Sequence, residues 1–166
     1  MKTGKAHVLK PFDNINTDYI ISGRYKFRIT DMKELAKYIF EDIQPGFYKK
    51  VKKGDYVVAG ENFGCGSSRE QAPWAIKEAG ISAVLAKSFA RIFFRNSFNI
   101  GLCLVQCDTD GIDAADSIKL DLKNGVVMNL TKGTRIVAMP IPPFMQRLLN
   151  DGGVIEHFKK YGDFKI

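Results

Sequence analysis

The chain has 166 residues, 45% of them hydrophobic, and a formal net charge of +7. That length suits one compact domain over residues 1–166, and the composition excludes a disordered or low-complexity protein. No apolar run approaches the roughly 20 residues of a membrane helix, and no signal-peptide core follows Met1-Lys2-Thr3-Gly4-Lys5, so a cytoplasmic protein with no membrane partner is expected.

Ala6 to Leu9 reads as a first strand, after which Pro11 and the polar run Asp13-Asn14-Ile15-Asn16-Thr17-Asp18 mark a loop. Ile20 to Ile29 mixes two aromatics, Tyr25 and Phe27, with the cations Arg24, Lys26 and Arg28, and reads as a mobile loop rather than a core strand. Thr30-Asp31 opens a helix. Asp31 and Glu34 have capping-box spacing, and Met32, Leu35, Ala36, Ile39, Phe40 and Ile43 form one apolar stripe that ends at Gln44-Pro45-Gly46. The stripe is core, not a cofactor site.

Tyr56-Val57-Val58-Ala59 reads as a buried strand and Gln71 to Ala79 as a helix with Ala72, Ala75, Ile76 and Ala79 on one face. Between them lies Gly60-Glu61-Asn62-Phe63-Gly64-Cys65-Gly66-Ser67-Ser68-Arg69-Glu70. Closely spaced glycines let a backbone turn sharply and approach a ligand. Ser67 and Ser68 are expected at the helix start, where free N–H groups favour an anion, and Arg69 adds a fork suited to a carboxylate. The same Ser-Ser-x-Glu pattern also caps ordinary helices. The turn is neither a phosphate-binding loop nor a nucleophile elbow, because Gly-Lys-Ser/Thr and Gly-x-Ser-x-Gly are both missing.

Ala83 to Ala86 reads as a buried strand, Phe89 to Phe98 as a Phe-rich helix with Arg91 and Arg95 four residues apart on one side, and Leu102 to Cys107 as another strand. This strand–helix alternation predicts parallel pairing. The last third changes character. Ile118, Leu120 and Leu122 alternate with polar residues, and Asn124-Gly125 separates that run from Val126 to Leu130, the pattern of a hairpin. Thr134 to Met139 supplies a further strand. Pro142-Pro143 begins a helix over Phe144 to Leu149 that closes near Gly152-Gly153, and Tyr161 to Ile166 reads as a loose tail. The sum is an α/β domain with a mixed sheet and packed helices.

Cys65, Cys103 and Cys107 are too few and odd in number for a disulfide framework. On a strand, Cys103 and Cys107 lie about 13 Å apart, too far to share one metal, so they read as buried apolar cysteines. The only histidines are His7 and His157, near the two ends. No protein-held metal site is expected. A basic charge is compatible with a nucleic-acid-binding module, but Lys and Arg are scattered, with Lys49-Lys50 and Lys52-Lys53 the densest cluster. A positive field also draws small di- and tricarboxylates toward a cleft, which agrees better with the central turn.

The eleven-residue turn together with the Asp13–Asp18 loop resembles the swivel domain of the aconitase superfamily, in particular the free-standing small subunits of isopropylmalate dehydratases, through nearly the whole chain. The resemblance implies the swivelling β/β/α fold. It also implies a hydro-lyase that moves water across a C–C bond of a hydroxy di- or tricarboxylate, as in leucine biosynthesis, with a [4Fe–4S] cluster as Lewis acid and a serine alkoxide as base. Ser67 matches that serine. Arg69 matches the arginine that clamps a substrate carboxylate, and Ser68 adds hydrogen bonds to the same group. Asp13 and Asn16 match loop residues near the site, and Arg24 falls where a second carboxylate-binding arginine is expected.

The cluster would sit on a large partner subunit and the small subunit alone would be inactive, since three or four converging thiolates are needed to hold one. The family's substrate-specificity loop corresponds to Tyr25, Lys26, Phe27, Arg28, Ile29 and Thr30. Phe27 and Ile29 suit a branched alkyl group, as in isopropylmalate, while Arg28 or Lys26 would suit the extra carboxylate of homoaconitate. Homoaconitase and 2,3-dimethylmalate dehydratase small subunits stand as the alternatives. A stand-alone serine hydrolase would need a histidine beside the serine.

Overall fold

A computed structural model describes residues 3–163. Seven strands form one sheet in the order β4-β3-β2-β1-β5-β6-β7. Its first half is parallel. β1 (Gly4–Val8), β2 (Tyr56–Val58), β3 (Ala83–Ala86) and β4 (Cys103–Gln106) pair side by side, with Ala6 opposite Tyr56, Val57 opposite Val84 and Leu85 opposite Val105. β2 and β3 are buried at every position, which is why they read as unbroken apolar runs rather than alternating ones.

The second half is antiparallel: β5 (Ser117–Asp121), β6 (Val126–Asn129) and β7 (Thr134–Val137). The expected hairpin is there, with Asp121 opposite Val126. Asn124 sits in its turn, where its N–H and Nδ2 donate to the Asp121 carboxylate, and Gly125 takes the positive φ of 61° that closes the turn. Beyond β7 the chain reaches across to β4: Met139 N–H donates to the Gln106 carbonyl (2.8 Å), and Cys107 bridges Ala138. The sheet therefore curls until its two ends meet, and the β7 edge is partly covered.

α5 (Gln71–Glu78) buries Ala72, Ala75 and Ile76, the face expected for it, and packs against α3 (Met32–Ala36) and α6 (Arg91–Asn99). Lys77 Nζ donates to the carbonyls of Ile100 (2.5 Å) and Gly152 (3.1 Å), which ties α5 to the far end of α6 and to the end of α7 (Pro143–Asp151).

The helix expected from Asp31 to Ile43 is instead a five-residue helix followed by turns. Asp31 does cap it, accepting from Glu34 N–H at 2.8 Å. The chain then turns at Phe40, whose φ is +56° and whose N–H donates to the Ile20 carbonyl rather than continuing the helix. A long-range bond and burial of Ile39 and Phe40 thus outweigh local helix periodicity. The segment read as a loop from Ile20 to Ile29 holds a short helix, α2 (Gly23–Lys26), and another, α1 (Thr17–Ile20), runs from the end of the polar Asp13–Asp18 loop into its first residue. A short helix, α4 (Phe47–Lys50), also follows Gly46. Past Gly152-Gly153 lies an unexpected helix, α8 (Val154–Tyr161), which takes in only Tyr161 of the expected tail and buries His157, whose Nδ1 lies 2.7 Å from Asp151. Residues 164–166 of that tail lie outside the described residues.

Candidate active site

The loops that leave the C-terminal ends of β1, β2 and β3 meet at one place, the usual ligand end of a parallel sheet. The turn after β2 is the glycine-rich one, and it is clamped from both sides. Toward the loop after β1, Gly64 N–H donates to the Ile15 carbonyl (2.7 Å), Thr17 N–H to the Cys65 carbonyl (3.0 Å), and Gly60 N–H to the Phe12 carbonyl (2.8 Å). Toward the loop after β3, Phe63 N–H donates to the Ser88 carbonyl and Ala90 N–H returns the bond to the Phe63 carbonyl. The turn thus continues the parallel ladder beyond its strands.

Apolar packing fixes it from below. Phe63 is fully buried and meets the rings of Phe93 (5.3 Å), Phe89 (6.1 Å) and Phe40 (6.4 Å). Each such aromatic pair contributes about 0.5–1.5 kcal/mol beyond its burial. Gly64 has φ of +81°, and a Cβ there would stand 2.2 Å from Phe93 Cγ. A side chain is excluded both by the backbone and by the ring of α6.

The result is a cavity of about 480 Å³ with two walls. One wall is the serine turn with Thr17. The other is the start of α6, from Ala90 to Asn96. Ser67 and Ser68 are exposed to solvent, and neither hydroxyl has a hydrogen-bond partner among the described residues. Thr17, itself buried, donates from Oγ1 to the Ser67 carbonyl (2.9 Å) and so holds the serine's backbone. The helix start expected at the serines lies further on. α5 begins at Gln71, Glu70 is its N-cap, and no side chain caps it. Ser67 and Ser68 stand in the bend before it because the Thr17 and Ile15 bonds draw the turn toward the β1 loop.

Arg69 is mostly buried and paired with Asp18. Both Nη atoms donate to that carboxylate, Nη2 to Oδ2 at 2.9 Å, and Nη1 also reaches the Ile21 carbonyl at 3.4 Å. A guanidinium has five N–H donors. Asp18 takes the end of the fork, so the Nε–H and the remaining Nη2–H are left for another acceptor. Asp18 and Arg69 lie 51 positions apart, and no local pattern signals their meeting.

The other residues singled out in the sequence lie outside this cavity lining. Asp13 Oδ1 accepts from Glu61 N–H (2.7 Å), and a Cβ on Gly60 would come within 1.9 Å of it, so Asp13 braces the turn from behind. Asn16 caps α1 by accepting from Tyr19 N–H (2.9 Å). Arg24 pairs with Asp42 and lies over the Tyr25 ring, which stacks on Tyr38 at 4.3 Å. In the loop that follows, Lys26 lies over the Phe27 ring (5.0 Å), Phe27 is 80% exposed, Arg28 and Thr30 are exposed, and Ile29 packs against the core. Arg91, Arg95 and Asn96 line the other wall, which their place in the sequence does not signal. Their i, i+4 spacing was visible, but not that α6 packs against the serine turn.

No group of three or more His, Cys, Asp or Glu side chains converges on one point among the described residues. Cys103 and Cys107 are buried, and burial pushes both thiols up to about 12, against the thiolate that a metal or cluster requires. The residues of this chain do not fit an iron–sulfur cluster. Both histidines are committed elsewhere: His7 Nε2 lies 2.8 Å from Asp55 at the opposite end of β2, and His157 is buried in α8, so no histidine lines the serine cavity.

The Aconitase C-terminal domain model matches residues 4–110. A 3-isopropylmalate dehydratase small subunit from Caldicellulosiruptor bescii is 56% identical over 158 residues, 94% of this chain and 93% of that one. The 3-isopropylmalate dehydratase small subunit 2 of Archaeoglobus fulgidus is 53% identical over 154 residues, 93% of each chain. A crystal structure of 3-isopropylmalate dehydratase from Methanocaldococcus jannaschii superposes with a TM-score of 0.90 at 45% identity, covering 96% of this chain and 94% of that one.

Proposed function

The chain belongs to the aconitase C-terminal domain family, among the small subunits of 3-isopropylmalate dehydratases, and from that premise we propose that it is the serine-bearing half of a two-subunit enzyme interconverting 2- and 3-isopropylmalate. The observation that carries this reading is the cavity itself, with Ser67, Ser68 and the free edge of Arg69 on one wall and no histidine or metal-ligand set beside them.

In this reading Arg69 and Ser68 donate to one substrate carboxylate and hold the adjacent carbon over Ser67. Ser67 Oγ, as alkoxide, takes the proton from that carbon while the hydroxyl leaves its neighbour, and adding the hydroxyl and the proton back with their positions exchanged gives the isomer. A serine hydroxyl is far too weak a base in water, so its anion needs a dry site with donors around it. Ser67 stands exposed in this chain, and a lid is required. Aconitase-family enzymes use a [4Fe–4S] cluster. The large subunit is proposed both to carry it and to close the cavity, since the cysteines here do not fit one.

The test is reconstitution. The chain and its large subunit are assayed separately and together on isopropylmalate, dimethylmalate and homoaconitate. Activity on isopropylmalate from the mixture alone is expected. Activity on homoaconitate with none on isopropylmalate would revise the substrate, and inactivity on all three would sink the reading.

A further inference from the structure

The serine and the arginine of the cavity wall are both held by the first two residues of α1. Asp18 grips the Arg69 guanidinium through both of its Nη atoms. Thr17 grips the turn on either side of Gly66, whose φ is +85°. Its N–H donates to the Cys65 carbonyl (3.0 Å) and its Oγ1 to the Ser67 carbonyl (2.9 Å). Among the described residues, the bond from Oγ1 is the only hydrogen bond that Gly66, Ser67 or Ser68 makes. Glycine is the freest residue of a turn, so without that bond the backbone of Ser67 would be held from one side only. The gripping element is itself anchored. Thr17 and Ile20 are buried, Asn16 caps the helix at Tyr19 N–H (2.9 Å), and the Thr17 carbonyl accepts from Ile21 N–H (3.0 Å).

Resting on the reading of Ser67 as base, we propose that Thr17 is its positioning residue: the threonine hydroxyl sets where Ser67 Oγ stands relative to the Arg69 fork, and so acts on proton transfer rather than on binding. Thr17 and Asp18 are consecutive in α1, so their two grips keep a fixed spacing. Asp18 holds the group that takes the substrate carboxylate, and Thr17 holds the group that takes the proton. Proton transfer is the more exacting of the two, since a misplacement of about 1 Å costs about a hundredfold in rate. Carboxylate binding at Arg69 does not pass through the Ser67 carbonyl and survives loss of the hydroxyl. A valine fills the same space but cannot donate, which leaves the Ser67 carbonyl unpaired and Gly66 free to turn.

The experiment uses the reconstituted two-subunit enzyme with Thr17→Val, Thr17→Ala and Thr17→Ser, beside Ser67→Ala. It reads kcat and KM for isopropylmalate, and the number and affinity of malate-binding sites by calorimetric titration. Counting sites removes any misfolded fraction from kcat. Per site, kcat should fall about tenfold to a hundredfold in the valine and alanine variants, with KM and malate affinity within about threefold of wild type. The serine variant keeps the hydroxyl and should stay within about threefold throughout. A valine variant with wild-type kcat per site overturns the proposal. So does a rise in KM with kcat unchanged, which would put Thr17 to work on the carboxylate and not on the proton. A serine variant as poor as valine overturns it too, because the methyl group's packing would then be what counts. If neither valine nor alanine variant folds, the hydroxyl serves the fold and the proposal is lost. Wild-type kcat in Ser67→Ala would end the reading of Ser67 as base, whereas an inactive Ser67→Ala beside an unaffected Thr17→Val sinks only the role of Thr17.

Discussion

The parallel and antiparallel halves of the sheet differ in which of their polar side chains they leave unused. In the antiparallel half they serve the local backbone. Asn129, buried, accepts from the N–H groups of Thr131 and Lys132 through Oδ1 and donates to Asp116 through Nδ2, while Asp121 and Asn124 close the hairpin turn. In the parallel half the loops after β1, β2 and β3 share one end of the sheet. There the loops are held by backbone bonds (Gly64–Ile15, Thr17–Cys65 and Phe63–Ser88) and by the side chains of Asp13, Asn16 and Thr17, while the side chains of Ser67, Ser68, Arg91 and Arg95 have no partner among the described residues. Unspent polar groups on a rigid turn are what a binding site requires. The antiparallel strands curl the sheet and close it on β4, and they contribute nothing to the serine cavity.

The sharpest way to break this contrast is at the turn's packing. Gly64→Ala puts a methyl into the Phe93 ring at a positive φ, and should cost about 2 kcal/mol or more, read as a fall in urea midpoint at unchanged m. Turnover should fall with it, because the serine wall must move. Stability within about 0.5 kcal/mol of wild type would show that α6 does not fix the turn.

Arg69→Lys keeps the charge but loses the fork that serves Asp18 and the cavity together. In the reconstituted enzyme kcat/KM should drop about tenfold, ~1.4 kcal/mol, with a smaller change in melting temperature. Unchanged kinetics would remove Arg69 from the carboxylate site.

Asp55 sharpens the contrast at the end of β2 away from the serine. Burial pushes its carboxyl up, but His7 and the N–H groups of Lys5 and Lys52 outweigh that and hold it below the ordinary 3.8. A carboxylate depressed on folding stabilises the fold above its unfolded value, and that contribution fades as pH falls through the folded one. Asp55→Asn should therefore be less stable than wild type at pH 7 in urea unfolding, with the gap narrowing below about pH 4. A gap that does not change with pH would mean the carboxylate's charge plays no part. At the bottom of the scale, Val137→Thr on β7, 84% exposed, should shift stability by less than about 0.5 kcal/mol and leave kinetics untouched. A loss of subunit affinity would show instead that this strand is a partner face.

How far the sequence foretold the structure follows the same division. Period and turn chemistry located every strand within a residue or two, because burial on both faces and the Asn124-Gly125 turn are local signals. The glycine-rich phrase marked the turn after β2 for a related reason: Gly64 is demanded by its own φ and by close packing. What escaped was set by distant contacts. The helix from Asp31 stops early because Phe40 bonds to Ile20, Arg69 is held by Asp18, and α6 becomes a site wall only because Phe93 meets Phe63 and Gly64. The missed α8 did carry a local sign, since Val154, His157 and Tyr161 are spaced for one helical face, but Gly152-Gly153 just before it reads as a terminus.

The central claim is that Ser67 moves the proton while the rest of the turn only presents it. Its most direct test is Ser67→Ala in the two-subunit enzyme, with kcat on isopropylmalate measured beside malate inhibition and subunit affinity. The account predicts that kcat falls by about a thousandfold or more, equivalent to ~4 kcal/mol in barrier, while malate still binds and the subunits still associate. A kcat within about threefold of wild type would contradict it.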